Sequence, residues 1–393
     1  MSWPLVALGD IFEIARGGSP RPIDAFITDD SDGVNWISIR DASNSSKYIT
    51  KTEKKILPSG VSKSRLVKPG DFLLTNSMSF GRPYILQTSG CIHDGWLVLS
   101  GDQKIIDQDY FYHLLGSDLI YRKFVSIAAG AVVKNLNSDL VRNVMVPLPT
   151  LAEQRRIAAI LDKAEALRAK RREAIAKLDQ LLKSVFLEMF GDPVTNSKGW
   201  QGDTTLGDIA LDMQYGPRFH NEAYSLNGIK IVRITDLSPT GELDFDAMPR
   251  MDVEEKVRVR FVLQPGNIIF ARTGATVGKV ALIQASDPPS IAGAYFIRVQ
   301  VNNSVLPEYV FAALQTKSIQ KFIAVKSRQA AQQNFSGPGL RKLPMPVPPL
   351  ELQRQFASLA KKIEQQKRTL QEHVQQQDAL FASLQDRAFN GEL

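Results

Sequence analysis

Three matched pairs of polar loops carry the residues best suited to recognise another molecule. Each pair has one member in each half of the chain, between runs rich in β-forming residues. Arginine offers a forked guanidinium group, and asparagine, glutamine and serine can address base edges, whereas holding a phosphate needs only charge. Glycine beside them lets the backbone approach a partner closely. The pairs are 16–21 with 215–218, 76–82 with 272–279, and 130–136 with 328–335.

We predict ligand contacts from these loops and from the β-like runs 36–41 and 231–236. A polar turn explains each loop equally well when it is taken alone, and the duplication favours a shared recognition surface. In the first half the candidates are Arg16, Gly17, Gly18, Ser19, Arg21, Arg40, Asn76, Ser77, Arg82, Lys134 and Asn135. In the second half they are Tyr215, Arg218, Arg233, Arg272, Thr273, Lys279, Arg328, Gln329 and Asn334.

Motifs of enzyme chemistry are missing from the sequence. A phosphate-binding loop needs four residues between its glycines and Ser or Thr after its lysine, whereas 274–280 has three and then Val280. The run 287–290 has Ser290 where an adenine methyltransferase needs an aromatic residue to stack on the flipped base. The acidic run 24–32 is typical of a solvated loop, and a single cysteine and four scattered histidines predict no metal site. The sequence therefore favours a binding or scaffolding protein.

Composition is that of a globular protein of two or three domains. The 393 residues are 44% hydrophobic and 23% charged, and no apolar run is long enough to span a membrane. The N-terminus has no basic start before its short apolar stretch, so we expect a cytoplasmic protein. The net charge of +7 permits a polyanionic partner without requiring one.

The chain is a tandem duplication. Four blocks recur in the same order at offsets of 195 to 199 residues, which chance does not explain. The blocks are 8–11 with 206–209, 36–41 with 231–236, 69–74 with 265–270, and 147–155 with 346–354.

Each half changes from short β-rich runs to one long helical segment. We predict two globular regions, 1–150 and 193–349, each followed by a helical region, 151–192 and 350–393. Helices over about 151–189 and 350–389 would be ~58 Å long, too long to bury an apolar stripe on one head. We therefore expect them to pack antiparallel on each other as a spacer, with folding back onto a head as the alternative.

A shared heptad register is predicted for both helices, with mostly apolar residues at its a and d positions. In the first helix these positions are Ile157, Ile160, Ala164, Leu167, Arg171, Ala174, Leu178, Leu181, Val185 and Glu188. In the second they are Phe356, Leu359, Ile363, Gln366, Leu370, His373, Gln377, Leu380, Leu384 and Arg387. The predicted fold class is α+β: two globular α/β heads joined by two long antiparallel coiled-coil helices, with an internal pseudo-two-fold repeat.

With these blocks in duplicate, the whole chain resembles the DNA-specificity subunit of a type I restriction-modification system. The most specific match is the entry into the first helix, Pro-Leu-Pro-Thr-Leu-Ala-Glu-Gln-Arg-Arg-Ile-Ala from Pro147, with its second copy from Pro346. The blocks 69–73 and 272–279 and the ending 388–393 are similar to the family too.

The resemblance implies a chain without catalytic activity, in which two target recognition domains read the halves of a bipartite double-stranded DNA site. The candidate contacts above would then be DNA contacts, and the half-sites would lie at most ~17 base pairs apart. Two methyltransferase subunits would dock on the helices and carry S-adenosylmethionine, and restriction subunits would use ATP and Mg²⁺. This chain itself would hold no cofactor. Two alternatives stay open: an enzyme that fuses recognition with methylation, and a rigid adaptor that binds proteins and has no DNA specificity.

Overall fold

A computed structural model describes residues 3–76, 81–129, 136–200, 203–219, 224–327 and 334–393. Its contacts divide the chain into two units, Met1–Arg171 with His373–Leu393, and Arg172–Glu372. Each unit contains one globular head, here called head 1 and head 2, and a part of both long helices. Among the helices in these described ranges, none combines the length and apolar character that crossing a membrane requires.

Head 1 is built from two five-stranded sheets and a strand pair. The strand orders are β2-β11-β8-β9-β5 and β3-β6-β4-β10-β7, and β1 pairs with β12. The strands are Leu5–Ala7 (β1), Phe12–Arg16 (β2), Ile27–Thr28 (β3), Val34–Ile37 (β4), Tyr48–Ile49 (β5), Lys54–Ile56 (β6), Arg65–Val67 (β7), Phe72–Thr75 (β8), Pro83–Leu86 (β9), Gly90–Ile92 (β10), Trp96–Gly101 (β11) and Met145–Pro147 (β12). The helices are Leu8–Ile11 (α1), Ile39–Ser43 (α2), Gln108–Leu115 (α3), Asp118–Ala129 (α4) and Ser138–Arg142 (α5).

Head 2 repeats this plan with fewer strands. Its sheets have the orders β13-β19-β16-β17 and β15-β14-β18. The strands are Ala210–Tyr215 (β13), Tyr224–Val232 (β14), Arg250–Met251 (β15), Ile268–Ala271 (β16), Val280–Leu282 (β17), Ser290–Ala292 (β18) and Phe296–Val301 (β19). The first long helix, Leu151–Phe190, is α6. The helices of head 2 are Leu206–Ile209 (α7), Glu255–Phe261 (α8), Pro307–Leu314 (α9), Lys317–Ser327 (α10) and Gly337–Arg341 (α11).

Each head has one core between one of its sheets and its helices, a second between its two sheets, and a smaller third on the outer face of the other sheet. The first core of head 1 includes Phe72 and Phe111 and extends to Ile157 on the first long helix. Strands buried on both faces, such as β8 and β16, are continuous apolar runs for this reason. The cores therefore join each sheet to the helix that leaves its head.

The two long helices are Leu151–Phe190 (α6) and Leu350–Asn390 (α12), within one residue of the predicted ends. Tryptophan indoles bond to their last turns: Trp3 Nε1 donates to the Ala388 carbonyl and Trp200 Nε1 to the Phe190 carbonyl, both at 2.7 Å. Within each unit, the parts of α6 and α12 run antiparallel, as predicted.

The predicted heptad register is half wrong. The a positions of α6, such as Ile157, Ala164 and Arg171, face inward as predicted. The d positions do not: Leu161 and Arg168 face inward in place of Ile160 and Leu167. The side chains predicted inside, Leu167 and Leu181, are 48% and 49% exposed. The same displacement on α12 exposes Leu359, Gln366, Leu380 and Arg387.

Charged residues occupy some of the inward positions, each one place after a residue that was predicted to lie inward. In the first unit, Arg168 pairs with Asp378. In the second unit, Lys367 is buried and its ammonium group lies 2.7 Å from Asp179 Oδ1. The two pairs are related by the repeat, because adding 199 to 168 and to 179 gives 367 and 378. These ion pairs neutralise the charged residues in the seam, which is the contact between α6 and α12. A count of apolar residues along the sequence cannot reveal such inward charges.

A buried glutamine fastens each long helix to its head. Gln154 accepts from the Asp107 N–H at 2.7 Å and donates to the carbonyls of Ile105 and Pro149 at 3.0 Å. Gln353 repeats this in head 2 with the Leu306 N–H at 2.7 Å and the carbonyls of Ser304 and Pro348, at 3.4 and 2.7 Å.

A buried tyrosine completes each joint. Tyr110 donates to the Pro147 carbonyl at 3.0 Å, and Tyr309 donates to the Pro346 carbonyl at 2.6 Å. Both hydroxyls lie 37 residues before their acceptors along the chain. The repeated helix-entry motif is therefore a structural joint of hydrogen bonds.

Candidate nucleic-acid interface

The matched loops converge at one place in each head. In head 1, the Asn76 N–H donates to the Gly95 carbonyl at 3.1 Å, and the Asn76 carbonyl accepts from Leu136 at 3.0 Å. In head 2, Arg272 makes the corresponding bonds with Tyr295 at 2.9 Å and Phe335 at 2.8 Å. The described parts of the second and third loops therefore adjoin in each head, and a shared ligand-reading surface stays a prediction.

The first loops join the same place through close backbone packing. A Cβ atom on Gly17 would lie 2.1 Å from the His93 carbonyl oxygen, and one on Gly216 would lie 2.1 Å from that of Ala292. The N–H groups of Gly17 and Gly18 donate to the carbonyls of Trp96 and Ile92. The packing of the head itself therefore requires glycine at 17 and at 216, and a contact of these glycines with a partner stays a prediction.

Asp94 organises the site in head 1. Ser19 Oγ donates to Asp94 Oδ1 at 2.9 Å, Arg21 lies 3.4 Å from Asp94 Oδ2, and Arg16 Nε donates to the Asp94 carbonyl at 2.9 Å. The bond from Ser19 lowers the pKa of the Asp94 carboxyl, against a smaller opposing effect of partial burial. Asp94 thus holds both arginines at the surface, Arg21 through its carboxylate and Arg16 through its backbone carbonyl.

Asn76 lies deeper than its predicted role suggests. Its side chain is only 3% exposed, and its Nδ2 donates to the Asp94 carbonyl at 2.7 Å. The amide therefore braces the loop that carries Asp94, and a base contact by Asn76 would have to use its Oδ1 atom.

Head 2 has an arginine stacked on a tyrosine at the equivalent place. The Arg272 guanidinium carbon lies 4.9 Å from the centre of the Tyr215 ring, whose hydroxyl accepts from the Gly337 N–H at 2.8 Å. Thr273 bridges to Asn334 as an isolated β-bridge. Among the residues that the structure describes, none forms a hydrogen bond with the buried atoms Arg272 Nε and Asn334 Oδ1.

The other predicted residues are spread around the heads. Arg40 belongs to helix α2 and not to the predicted β run, because a Ser38–Asp41 capping box starts a helix there; it pairs with Glu53 at 3.8 Å. Arg82 and Arg218 are exposed, and Arg82 lies over the Tyr84 ring.

Two of the predicted cations are held by their own head. Arg233 is bound by Asp236 at 2.7 Å and donates to the Ala247 carbonyl, and Lys279 donates to the Leu237 carbonyl at 3.4 Å. Some predicted residues lie outside the described part of the chain: Ser77, Lys134, Asn135, Arg328 and Gln329.

Sequence reasoning missed the residues that distinguish the two sites. Asp94 and Gly95 of head 1 correspond to Ala294 and Tyr295 of head 2, because β10 and β18 occupy equivalent places in their sheets. The signal that could have revealed them is their fixed position, two residues beyond a repeated strand. The exchange removes the carboxylate from head 2 and places an exposed tyrosine beside Arg272.

One group of possible metal ligands lies outside these sites. In the residues that the structure describes, ligand atoms of His113, Asp162 and Glu165 come within 4.8 Å of one another. Asp162 is already bound by Lys47 at 2.8 Å, and burial lowers the pKa of His113 despite the nearby carboxylate. The lysine supplies the positive charge, so the group forms a head-to-helix ion pair.

Comparison with known proteins identifies the family. The model of the type I restriction modification DNA specificity domain matches the chain twice, at residues 2–177 and 198–377. The chain belongs to this family. A Methanocaldococcus jannaschii relative, the type I restriction enzyme MjaVIII specificity subunit, is 22% identical over 92% of this chain and 86% of its own length.

Other family members share the full extent of the fold. The EcoKI specificity subunit of Escherichia coli is 22% identical over 85% of this chain and 77% of its own. The S subunit structure from M. genitalium has a TM-score of 0.55 at 15% identity and covers 99% of this chain and 96% of its own. A chain from a study of complex assembly in a type I R-M system has a TM-score of 0.59 at 17% identity, covering 100% and 98%. Specificity-domain proteins of this family thus share the predicted α+β fold.

Proposed function

We propose that this chain is the sequence-specific DNA-binding subunit of a type I restriction-modification complex, and that each head reads one half of a bipartite site. The observation that carries the proposal is the repeated three-loop frame with different side chains at equivalent positions. Asn76 of head 1 stands where head 2 has Arg272, and both make the same backbone hydrogen bonds. A common frame with divergent side chains is what reading two different half-sites requires.

Arg272 has the chemistry of a base-reading residue. Its guanidinium face lies against Tyr215, which orients the planar group and leaves the edge of the fork to a partner. An oriented fork suits the O6 and N7 atoms of guanine, and one bidentate pair discriminates against a wrong base by about 1–3 kcal/mol. Asn334, which bridges to the next residue, supplies a buried acceptor beside it.

The DNA target sequence can be identified with a base-modification map of genomic DNA from cells that carry this gene with its methyltransferase. A split adenine-methylated motif that disappears when this gene alone is deleted would support the proposal. Unchanged methylation, with an active methyltransferase present, would overturn it and favour the protein-binding adaptor.

The role of Arg272 is then tested on the mapped site. Arg272→Ala should weaken binding to the cognate site about 10- to 100-fold and leave binding to random DNA nearly unchanged. Arg122→Ala, an exposed arginine of α4 in the other head, is the matched control. An equal loss on both DNAs would make Arg272 a phosphate contact.

We further propose that methyltransferase subunits, two per chain, dock on the long helices, and that restriction subunits join through them in the cytoplasm. Exposed leucines support this, because such side chains on a helix often mark an interface. They are Leu167, Leu181, Leu359 and Leu380. Leu167→Asp should abolish co-purification with the methyltransferase. Lys170→Asp, at a neighbouring exposed position of the same helix, should not.

We also propose that this chain is not itself an enzyme. S-adenosylmethionine would be held by the methyltransferase subunits, and ATP with Mg²⁺ by the restriction subunits, with no cofactor in this chain. Methyl transfer to DNA by the purified chain alone would contradict this.

A further inference from the structure

Strand β14 in the smaller sheet of head 2 contains a four-residue bulge. Tyr224 and Ile229 of β14 both pair with Met251, so residues 225–228 have no paired residues opposite them. Leu226, within this bulge, has a side chain that is 92% exposed. A leucine so exposed gains nothing from the fold of its own head.

The bulge is specified by its own residues. A Cβ atom on Gly228 would lie 2.1 Å from the Met251 carbonyl oxygen, so only glycine permits this return to the strand. The Asn227 N–H donates to Ser225 Oγ at 3.3 Å, which closes a local turn. The exposure of Leu226 therefore follows from a defined backbone geometry.

Positive charge surrounds the bulge. A cleft of about 310 Å³ beside it is lined by Lys230, Arg250 and Arg258, with Asp252 as the one acidic residue of its lining among the described residues. Arg250 and Arg258 are exposed, and Arg250 reaches back to the Gly228 carbonyl at 3.3 Å. An apolar tip beside clustered arginines matches a groove of DNA and the phosphates that border it.

The bulge is continuous with the recognition loops. Asp236 and, to a smaller extent, Tyr224, two residues before Leu226, raise the pKa of the Arg233 guanidinium group. The carbonyl of Val232 accepts from Gly293, at the start of the turn that leads to Tyr295 and its backbone bond with Arg272. DNA bound at Arg272 could thus extend along this edge of the head.

Head 1 has the same edge with the opposite charge. β15 pairs with β14 in the register in which β6 pairs with β3 and β4, so that Arg250 corresponds to Lys55 and the bulge 225–228 to the longer loop 28–33, which contains Ser31. The exposed acids Asp29, Asp30 and Asp32 surround this place.

The cation of that edge bonds to the backbone of the acidic loop itself. Lys55 Nζ donates to the carbonyls of Asp30 and Ser31 at 3.2 and 3.3 Å. Phosphates would therefore be repelled from this edge of head 1.

We propose that the bulge 225–228 of head 2, with Arg250 and Arg258, is a second DNA contact that binds the backbone beyond the half-site, with Leu226 packed into the groove. The equivalent edge of head 1 stays free of DNA. This inference rests on the proposed function and adds to it an asymmetric footprint, longer on the side of head 2. Because these residues contact phosphates and sugars, their contribution does not depend on base sequence.

The test compares equivalent residues of the two heads in the full chain with its methyltransferase subunits. The double variant Arg250→Gln/Arg258→Gln should lower the slope of log affinity against log salt by about 2, since each lost phosphate contact contributes about 0.9. Affinity should fall by the same factor for cognate and random DNA. Lys55→Gln, the matched change in head 1, should alter neither quantity.

The leucine is tested separately by a hydroxyl-radical footprint. Leu226→Ser should weaken binding about tenfold, the effect of exposing one leucine side chain, and should shorten protection on the side of head 2 only. Ser31→Ala should leave the footprint unchanged. Far-UV circular dichroism and thermal unfolding show whether each variant is folded.

The outcomes separate this inference from the proposed function. Wild-type discrimination of the cognate site, with the salt slope and footprint unaltered in the head 2 variants, would overturn the second contact alone. Loss of the methyltransferase subunits with unchanged DNA contacts would overturn it in favour of a protein-binding surface. Failure of the wild-type complex to prefer its mapped site would overturn both.

Discussion

The glutamine joint of head 2 gives the sharpest test of how the helix is fastened. Gln353→Ala removes an acceptor from the Leu306 N–H and a donor from the Pro348 carbonyl, both at 2.7 Å, and a longer bond to Ser304 at 3.4 Å. Each buried polar group left without a partner costs about 1–3 kcal/mol, and the long bond adds little. With water partly filling the space, we expect the free energy of unfolding to fall by about 2–4 kcal/mol.

Two measurements test the effect of Gln353→Ala on this joint. Urea unfolding followed by far-UV circular dichroism gives the stability change, and hydrogen exchange of the Leu306 amide reports the broken bond directly. Gln365→Ala, at an exposed glutamine of the same helix, should change stability by at most about 0.5 kcal/mol. A loss below about 1 kcal/mol for Gln353→Ala, with unchanged exchange at Leu306, would refute the reasoning.

Two further predictions concern buried charge. Lys367→Met leaves the carboxylates of Asp179, Glu242 and Glu364 facing one another without their cation. Because these carboxylates are partly exposed, we expect the free energy of unfolding to fall by only about 1–2 kcal/mol in urea unfolding. Adding Asp179→Asn to the same chain should recover part of this loss. Burial lowers the pKa of His113 below 6.5, so the unfolded chain binds this proton more readily and the free energy of unfolding falls as the pH drops below about 6.5. His113→Gln should remove this dependence, and parallel stability curves for both proteins from pH 7.5 to 5.5 would contradict it.

The sequence predicted the organisation of the chain better than its contacts. Repeated blocks and the proline-to-glycine limits of the helical segments located α6 and α12 to within a residue, since these signals are local. The convergence of the matched loops was also predictable, because equivalent loops of a duplicated fold occupy equivalent places. The strand predicted through Arg40 was wrong, since a local capping box outweighs the β propensity of its neighbours.

Contacts between distant residues escaped prediction for physical reasons. The heptad register failed because it maximised apolar residues at the inward positions, whereas Arg168 and Lys367 lie inward and each pairs with an aspartate of the opposite helix, Asp378 and Asp179. Gln154 was interpreted only as part of a motif, since two of its partners are backbone groups 47 and 49 residues away, which side-chain patterns do not reveal. Asp94 was missed because a single acid beside a strand has no sequence signature.

The placement of the seam charges bears on the origin of the chain. Arg168 and Asp179 lie eleven residues apart on α6, and Lys367 and Asp378 lie eleven apart on α12, so each helix carries both a cation and its complement. An ancestral polypeptide with a single repeat would have been self-complementary: two identical copies, antiparallel, could form both ion pairs. Fusion of two copies of the gene for such a homodimer would preserve the ion pairs and allow the two recognition surfaces to diverge in sequence. The fused chain could then bind unsymmetrical targets.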